Sequence, residues 1–357
     1  MATQSCRIDR TTPRPGVPTL TLSNGLISVT VLPEKGADIY ALTYEPLAVD
    51  ILWKSPLGLR GPHEGRFAAD SVTAWMEQYE GGWQECFPNG GDPCTYQGLE
   101  LSFHGEASLL PWQLSVSEES PEAVDVAFSV RLYRSPFSLT RQMRLEAGSP
   151  TLHLREMITN HAGEPMEFMW GHHPAYGPPF ISEATRLQTN ARSFRADTED
   201  LPHNPLEPGS THDWPWASAR DGRPCDLSAV PREPRALLGY LSDFDGPPWY
   251  ALLNPQLGLG VGWAWSAETF PYLWLWQELS ASGGYPFYKR TYTMAVEPWS
   301  SYPAHGLANV IRTTGTQLHL AAGATCSAQL AVSLFPIALG QSVDGVDAHG
   351  RVLMSKG

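Results

Sequence analysis

The spacing of turn-forming residues constrains the fold of this chain more than any other feature. Glycine and proline number 32 each in 357 residues, and they interrupt the chain at intervals of roughly 8–12 residues, as in all-β proteins. Apolar and polar residues alternate over residues 26–32, directly after Asn24-Gly25, a dipeptide typical of β-hairpin turns. The pattern predicts an all-β fold, a large antiparallel β-sandwich with few short helices.

Four consecutive segments predict an antiparallel meander, because short turn sequences rich in Ser, Gly and Pro connect them. These segments are residues 124–133, 137–145, 151–160 and 166–172. Residues 66–79 are the best helix candidate, since apolar side chains recur there at helical spacing. Residues 81–93 predict a loop, and residues 177–234 predict a long irregular segment that wraps the surface or rims a cleft.

No linker divides the chain, so we expect one domain over residues 1–357. Its core is expected to span about residues 18–336, with surface tails at both ends. The five cysteines are scattered and lack the spacing of a zinc site, which predicts reduced thiols.

Charge and hydropathy narrow the classes of function. The net charge of -13 argues against binding to nucleic acids and anionic membranes, which attract basic surfaces. The first 16 residues lack the apolar segment of a signal peptide, and no run of apolar residues is long enough to span a bilayer. A cytoplasmic protein is therefore expected.

Two fragments place proton-transfer groups where a predicted strand meets a proline. His173 precedes Pro174, and Glu297 precedes Pro298. A histidine titrates near neutral pH, and a desolvated glutamate can act as a base. The alternatives are a core histidine bonded to a backbone carbonyl and a structural or surface glutamate. Because adjacent strand residues point to opposite faces, only one of His172 and His173 can face a substrate.

Further polar and aromatic residues are candidates for substrate binding. His104 precedes a glycine, which permits an unusual turn, although an ordinary turn histidine is the alternative. Trp276, Gln277 and Glu278 follow one another in a predicted strand, where an aromatic face could pack on a sugar ring and the polar groups could bind hydroxyls. The alternative for the tryptophans is the core. The sequence contains no GxSxG or HExxH motif and no phosphate-binding loop.

Together these fragments resemble the aldose 1-epimerase (galactose mutarotase) superfamily over roughly residues 18–336. The segment His172-His173-Pro174-Ala175-Tyr176 is similar to the motif that holds the acid histidine of the family. Glu297, with Pro303 downstream, is similar to its base glutamate, and His104-Gly105 is similar to its earlier histidine. The resemblance implies the large antiparallel β-sandwich of that superfamily.

The chain departs from the pattern of the family at its substrate-binding positions. The usual Asn-Arg pair is not seen, and Phe87-Pro88-Asn89-Gly90 stands near its expected place. The substrate-binding aspartate has no clear counterpart, although Asp243 or Asp245 could serve. The strand with Trp276 lies outside the best-known pattern. These departures imply a divergent member of the superfamily.

The resemblance implies an isomerase that interconverts the α and β anomers of a carbohydrate without a metal or other cofactor. His173 would deliver a proton to the ring oxygen, Glu297 would remove the proton of the anomeric hydroxyl, and His104 would stabilise charge. The residues expected to bind the substrate are His172, Gln277, Glu278, Trp276, Asn89 and Asp243. Two alternatives are a carbohydrate lyase or hydrolase with Glu278 and Glu297 as its carboxylates, and a sugar-binding protein without catalysis.

Overall fold

The computed structural model describes residues 5–14, 16–61, 64 and 68–355. In chain order its strands are β1 (Arg7–Arg14), β2 (Val17–Ser23), β3 (Ile27–Leu32), β4 (Asp38–Tyr44), β5 (Val49–Asp50), β6 (Trp83–Cys86), β7 (Cys94–Tyr96), β8 (Leu99–Leu101), β9 (Gln113–Glu119), β10 (Ala123–Arg131), β11 (Phe137–Glu146), β12 (Thr151–Asn160), β13 (Met166–Phe168), β14 (Gly171–Tyr176), β15 (Arg186–Thr189), β16 (Ala191–Ala196), β17 (Thr211–Asp213), β18 (Trp216–Ser218), β19 (Pro224–Asp226), β20 (Arg235–Phe244), β21 (Trp249–Asn254), β22 (Leu259–Trp265), β23 (Tyr272–Leu279), β24 (Tyr292–Trp299), β25 (Leu318–Leu320), β26 (Thr325–Pro336), β27 (Val343–Val346) and β28 (Val352–Met354). The helices are α1 (Ser71–Glu77), α2 (Leu307–Thr313) and the 3-10 turns Glu45–Leu47 and Ala107–Leu109.

Most strands belong to two sheets. The larger sheet has the order β1-β2-β3-β4-β6-β14-β24-β23-β20-β16-β17, and β5 pairs with β4. The smaller sheet has the order β15-β21-β22-β26-β12-β11-β10-β9. All strand pairs in both sheets are antiparallel. The predicted all-β class is confirmed.

The two sheets pack face to face through large aromatic side chains. The rings of Trp83 in β6 and Trp263 in β22 lie 4.4 Å apart, and the hydroxyls of Tyr176 in β14 and Tyr250 in β21 lie 2.7 Å apart. All four side chains are almost fully buried. Burial of aromatic area contributes strongly to the stability of such a core. The architecture is therefore a β-sandwich, and the opposite face of the larger sheet remains available for other contacts.

The hairpin at Asn24-Gly25 and the first three strands of the meander are confirmed, as β2–β3 and β10–β11–β12. The prediction of a fourth continuous strand over residues 166–172 was wrong. At Met169 and Trp170 the backbone N–H groups donate to the Pro88 carbonyl and the Ser300 hydroxyl. The chain therefore leaves the pair β13–β25 and enters the larger sheet as β14.

Two predicted loops contain strands. Residues 81–93 include β6, whose four side chains are all buried between β4 and β14. Its sequence misled the prediction because Gln84 and Glu85 are polar, yet both are buried with partners. Residues 177–234 include β15 and β16, which lie in the smaller and larger sheets respectively.

The ends of the chain and the predicted helix also differ from expectation. The expected N-terminal tail contains β1, an exposed edge strand of the larger sheet, and the C-terminal one contains the hairpin β27–β28. The helix predicted over residues 66–79 begins only at Ser71, because Asp70 caps it by accepting a hydrogen bond from the Thr73 N–H. Residues 66 and 67 lie outside the described residues. Neither helix in the described part of the chain has the length and hydropathy needed to cross a membrane.

Candidate active site

His173 and Glu297 face each other on the side of the larger sheet that is turned away from the smaller sheet. They belong to β14 and β24, which are adjacent antiparallel strands. The Nε2 atom of His173 lies 3.8 Å from Oε1 of Glu297. Both residues are buried, with exposed fractions of 6% and 1%. We call these two side chains the proton-transfer pair.

Burial sets the protonation of the pair. Loss of hydration raises the pKa of Glu297 from 4.5 to about 8, against the opposing effect of a hydrogen bond from Trp299. Loss of hydration likewise lowers the pKa of His173 from 6.5 to about 4. At neutral pH the carboxyl group is therefore protonated, and the imidazole is neutral with a single N–H. An acid and a base coexist without a net charge.

Trp299 fixes the orientation of the Glu297 side chain. Its Nε1 atom donates to Oε2 of Glu297 at 2.9 Å, and its ring stacks on Trp274 with centroids 3.9 Å apart. Gly171 leaves the space for this ring, because a Cβ atom there would lie 2.1 Å from Cδ2 of Trp299. A glycine inside a strand is consistent with such a close approach.

His104 adds a second neutral imidazole beside the pair. Its backbone has a φ of 54°, and its ring lies 5.6 Å from that of His173. The Gly91 N–H donates to Nδ1 of His104 at 3.2 Å, so the hydrogen of the neutral ring is assigned to Nε2. Burial and the nearby His173 lower the pKa of His104 well below its usual value. The ring can therefore donate one hydrogen bond without carrying a charge.

These groups line a cleft of about 270 Å³. Its walls come from α1, from β14, β20, β23 and β24, and from the loops around residues 91, 103, 199, 287 and 305. The lining side chains other than those already described are Trp75, Met76, Tyr79, Asp92, Phe103, Glu199, Leu238, Trp274, Trp276, Phe287, Ala304 and His305. The ring of Trp276 lies 5.7 Å from that of His173. An aromatic wall beside polar groups suits a ligand with both apolar C–H faces and hydroxyls.

One end of the cleft carries carboxylates around a histidine. The Nδ1 atom of His305 lies 3.0 Å from Oδ2 of Asp92, and its Nε2 atom lies 3.1 Å from Oδ1 of Asp197. Hydrogen bonds to Asp197 and Asp92 raise the pKa of His305 to about 10. Tyr240 donates a hydrogen bond to Asp197 from behind. We call Asp92, Asp197, Glu199 and His305 the acidic end.

His172 points the opposite way, into the space between the sheets. Its Nδ1 accepts a hydrogen bond from Trp83 at 3.1 Å, and its Nε2 lies 3.0 Å from Oε2 of Glu156 without the angle of a good hydrogen bond. Arg141 binds Glu156 at 2.8 Å and also donates to Glu85. We call Glu85, Arg141, Glu156 and His172 the core charge cluster.

Among the described residues, one group of side chains is close enough together to bind a metal ion, and it belongs to the core charge cluster. Ligand atoms of Glu85, Glu156 and His172 all lie within 4.8 Å of one another. The guanidinium of Arg141 already contacts both carboxylates and supplies the compensating positive charge. These residues link β14, which carries His173, and the adjacent β6 to β11 and β12 of the smaller sheet.

The structure brings His173, Glu297, His104 and Trp276 together in the cleft but places the other predicted site residues outside its walls. Gln277 is buried on the other side of β23, where its amide donates to Met294. Glu278 accepts hydrogen bonds from the backbone of Ala281 and Ser282 and from the Ser282 hydroxyl.

Asn89 and Asp243 also lie outside the cleft walls. Asn89 donates to the carbonyls of Asp92 and Ser102 and accepts from the Leu307 N–H, so it braces the loop that carries Asp92. Asp243 is exposed at the end of β20.

Several residues of the cleft were not predicted from the sequence. Glu199 and Asp197 belong to the segment expected to rim a cleft. Single acidic residues in a polar loop do not by themselves indicate a binding site, so neither was predicted. His305 precedes Gly306, the same His-Gly order that drew attention to His104. Tyr79 follows α1, and its position depends on packing against Trp53 and Trp75.

Several solved structures share the fold of this chain. A Klebsiella pneumoniae protein provisionally named an aldose 1-epimerase matches with a TM-score of 0.69 and 18% identity, over 92% of this chain and 83% of that one. A galactose mutarotase-like protein from Clostridium acetobutylicum matches with a TM-score of 0.64 and 17% identity, over 93% and 99% of the two chains. A galactose mutarotase related enzyme from Lactobacillus acidophilus matches with a TM-score of 0.61 and 16% identity, over 90% and 98%. The fold is thus the galactose mutarotase-like β-sandwich, as the resemblance implied.

The family is shown by the sequence itself. Residues 14–334 match the family described as a domain of unknown function, DUF4432, and the chain belongs to that family. No curated protein matches the sequence.

Proposed function

We propose that the protein is a mutarotase-like isomerase that interconverts the α and β anomers of a sugar by acid–base catalysis. The observation that carries this proposal is the proton-transfer pair, a neutral carboxyl group and a neutral imidazole 3.8 Å apart in a cleft. Ring opening needs one group to give a proton and another to accept one, and each positioned group typically contributes about 10²–10⁴ in rate.

The reaction requires no net gain or loss of protons. The base takes the proton of the anomeric hydroxyl, the bond between C1 and the ring oxygen breaks, and the acid protonates that oxygen. Rotation about the C1–C2 bond and closure on the other face return both protons. His104, through Nε2–H, would donate a hydrogen bond to an oxygen that gains negative charge.

The resting proton supports one assignment of the two roles within the pair. The sequence-based prediction gave His173 the acid role, whereas burial raises the pKa of Glu297 to about 8 and so favours the proton on Glu297 at neutral pH. We propose that Glu297 acts as the acid toward whichever sugar oxygen it contacts and that His173 accepts the other proton. Closure reverses both roles, so each residue serves as acid and base once per turnover.

Anomer exchange measured by NMR tests the proposal. Freshly dissolved aldoses are followed at neutral pH with and without the protein, and we expect faster exchange between α and β signals for at least one sugar. Heat-inactivated protein serves as the control for buffer catalysis. Binding of a sugar without faster exchange would instead support a non-catalytic carbohydrate-binding protein.

The geometry gives no support to the lyase or hydrolase alternative. That alternative pairs Glu278 with Glu297, but the Glu278 carboxylate is occupied by the loop at Ala281 and Ser282. Hydrolysis needs two carboxylates that flank one bond of the substrate.

The pair also predicts the pH dependence of the reaction. We expect kcat/KM, which reports the free protein, to be highest between pH values of about 4 and 8. Below the lower limit His173 becomes protonated and the base is lost. Above the upper limit Glu297 loses its proton and the acid is lost. Exchange rates measured from pH 3 to 10, after subtraction of the uncatalysed rate, check this, and a rate that still rises above a pH of about 9 would contradict it.

A further inference from the structure

The acidic end determines the electrostatic character of the cleft. Asp92, Glu199 and His305 line it, and Asp197 lies directly behind His305. The positive charge of His305 is already shared between Asp92 and Asp197, which hold both of its ring nitrogens. Asp92 and Asp197 thus contact one imidazolium, Glu199 adds a third carboxylate to the same lining, and the net charge at this end is negative.

Glu199 remains available to a ligand. Its backbone N–H donates to Asp197 at 2.7 Å, but its carboxylate makes no hydrogen bond within the residues that the structure describes. Burial and the charges of Asp197 and Asp92 raise its pKa, which reflects the crowding of negative charge here. A hydroxyl that donates to such a carboxylate forms a strong, charge-assisted hydrogen bond.

A second observation points independently to a polar ligand. Tyr79 lines the same cleft and is 4% exposed, and its hydroxyl has no hydrogen-bond partner among the described residues. Nδ1 of His173 is likewise buried without a partner. Unpaired buried polar groups of this kind cost about 1–3 kcal/mol each, so a ligand that pairs with them gains affinity.

The size of the cleft limits the ligand. Its volume of about 270 Å³ lies just below the roughly 300–1,000 Å³ of pockets for drug-sized ligands. One sugar ring fits this space better than a chain of sugars does.

We propose that the cleft selects an uncharged aldose monosaccharide and rejects its phosphate esters, with Glu199 and Asp92 binding hydroxyls remote from the anomeric carbon. This inference rests on the proposed function for its substrate class, a sugar. The physical reason is that a phosphate dianion placed beside Asp92 and Glu199 meets like charges. Hydroxyls, by contrast, are the donors that these carboxylates need.

Binding measured by ligand-observed NMR and calorimetry tests the selectivity without relying on turnover. Each free aldose of the panel is compared with its own terminal phosphate ester on the full chain. We expect at least one free aldose to bind, and its phosphate ester to bind at least about tenfold more weakly at low ionic strength. Equal or tighter binding of the phosphate ester, or no binding of either class, would overturn the inference.

Charge variants locate the selectivity. Glu199→Lys should reduce the ratio of the two affinities by about fivefold or more, and Glu199→Gln should have a smaller effect in the same direction. Glu122→Lys is the matched control, because Glu122 is exposed in the turn between β9 and β10. If the ratio of the two affinities is the same in Glu199→Lys as in the Glu122→Lys control, Glu199 does not contribute to the selectivity and the inference is overturned. The proposed function fails in a distinguishable way. In that case the free aldose binds more tightly than its phosphate ester, but the protein does not accelerate the exchange of its anomers.

Discussion

Glu297→Gln is expected to lower the anomer exchange rate by about 10²–10⁴. The amide has nearly the same shape as the carboxyl group, and its oxygen can still accept the hydrogen bond that Trp299 donates at 2.9 Å. It cannot give or take a proton at any working pH. NMR exchange with the sugar that responds best to the wild type provides the measurement, and Glu122→Gln on the exposed surface provides the control.

The same substitution should stabilise the folded protein at high pH. The pKa of Glu297 rises from 4.5 to about 8 on folding, so the folded state holds the proton more tightly than the unfolded state does. Stability is therefore fully present below the unfolded pKa and falls as the pH rises through the folded value. The glutamine variant escapes this loss, which reaches on the order of 3–5 kcal/mol above a pH of about 8.

Thermal and chemical unfolding at several pH values separate these effects. We expect the variant and the wild type to be almost equally stable near pH 4 and to diverge steadily up to a pH of about 9. A variant that exchanges anomers within threefold of the wild-type rate would remove Glu297 from the proposed mechanism. A stability difference that does not depend on pH would show instead that the carboxyl group is ionised in the folded state.

Arg141→Met is expected to lower the free energy of unfolding by about 3–5 kcal/mol, because it leaves buried carboxylates without their cation. Arg141 donates to Glu156 at 2.8 Å and to the carbonyl of Ala37 at 2.8 Å, and it also binds Glu85. Methionine fills much of the same volume, so the loss reflects charge more than packing. Denaturant unfolding measures it, with the exposed Arg131→Met as the control.

A compensating substitution distinguishes charge from shape in the core charge cluster. Burial, with the nearby Glu156, raises the pKa of Glu85, so Glu85→Gln in the Arg141→Met background removes the carboxylate that is already easier to protonate. We expect this double variant to recover about half of the lost stability or more. If the changes in unfolding free energy caused by Arg141→Met and Glu85→Gln simply add, the carboxylates and Arg141 do not act as one unit.

The fold class was predictable because its signals are local. Asn24-Gly25 and the alternation on either side specify a hairpin, and the turns between β10, β11 and β12 specify consecutive strands. β6 was not predictable in the same way. Glu85 is compatible with a buried strand only because the distant Arg141 binds its carboxylate. The amide of Gln84 donates to the nearby carbonyl of Gly81 and to the more distant Asp38.

The candidate site was partly predictable for a similar reason. His173 and Glu297 each precede a proline, and the family resemblance drew attention to both. The predicted strand ends at these prolines were wrong, because β14 continues to Tyr176 and β24 to Trp299. That His172 turns inward follows from strand alternation only once the face of β14 is known. The acidic end could not be predicted, because Asp92, Asp197 and His305 are brought together by the tertiary structure alone.

The order of strands in the larger sheet has a consequence for how the protein folds. β6, β14 and β24 are neighbours in space but lie far apart along the chain. Pairings of this kind must close long loops before they gain any contact energy, so we expect slow folding with a high contact order. We therefore expect the cleft to form late in folding, since no short fragment of the chain contains a complete set of its walls.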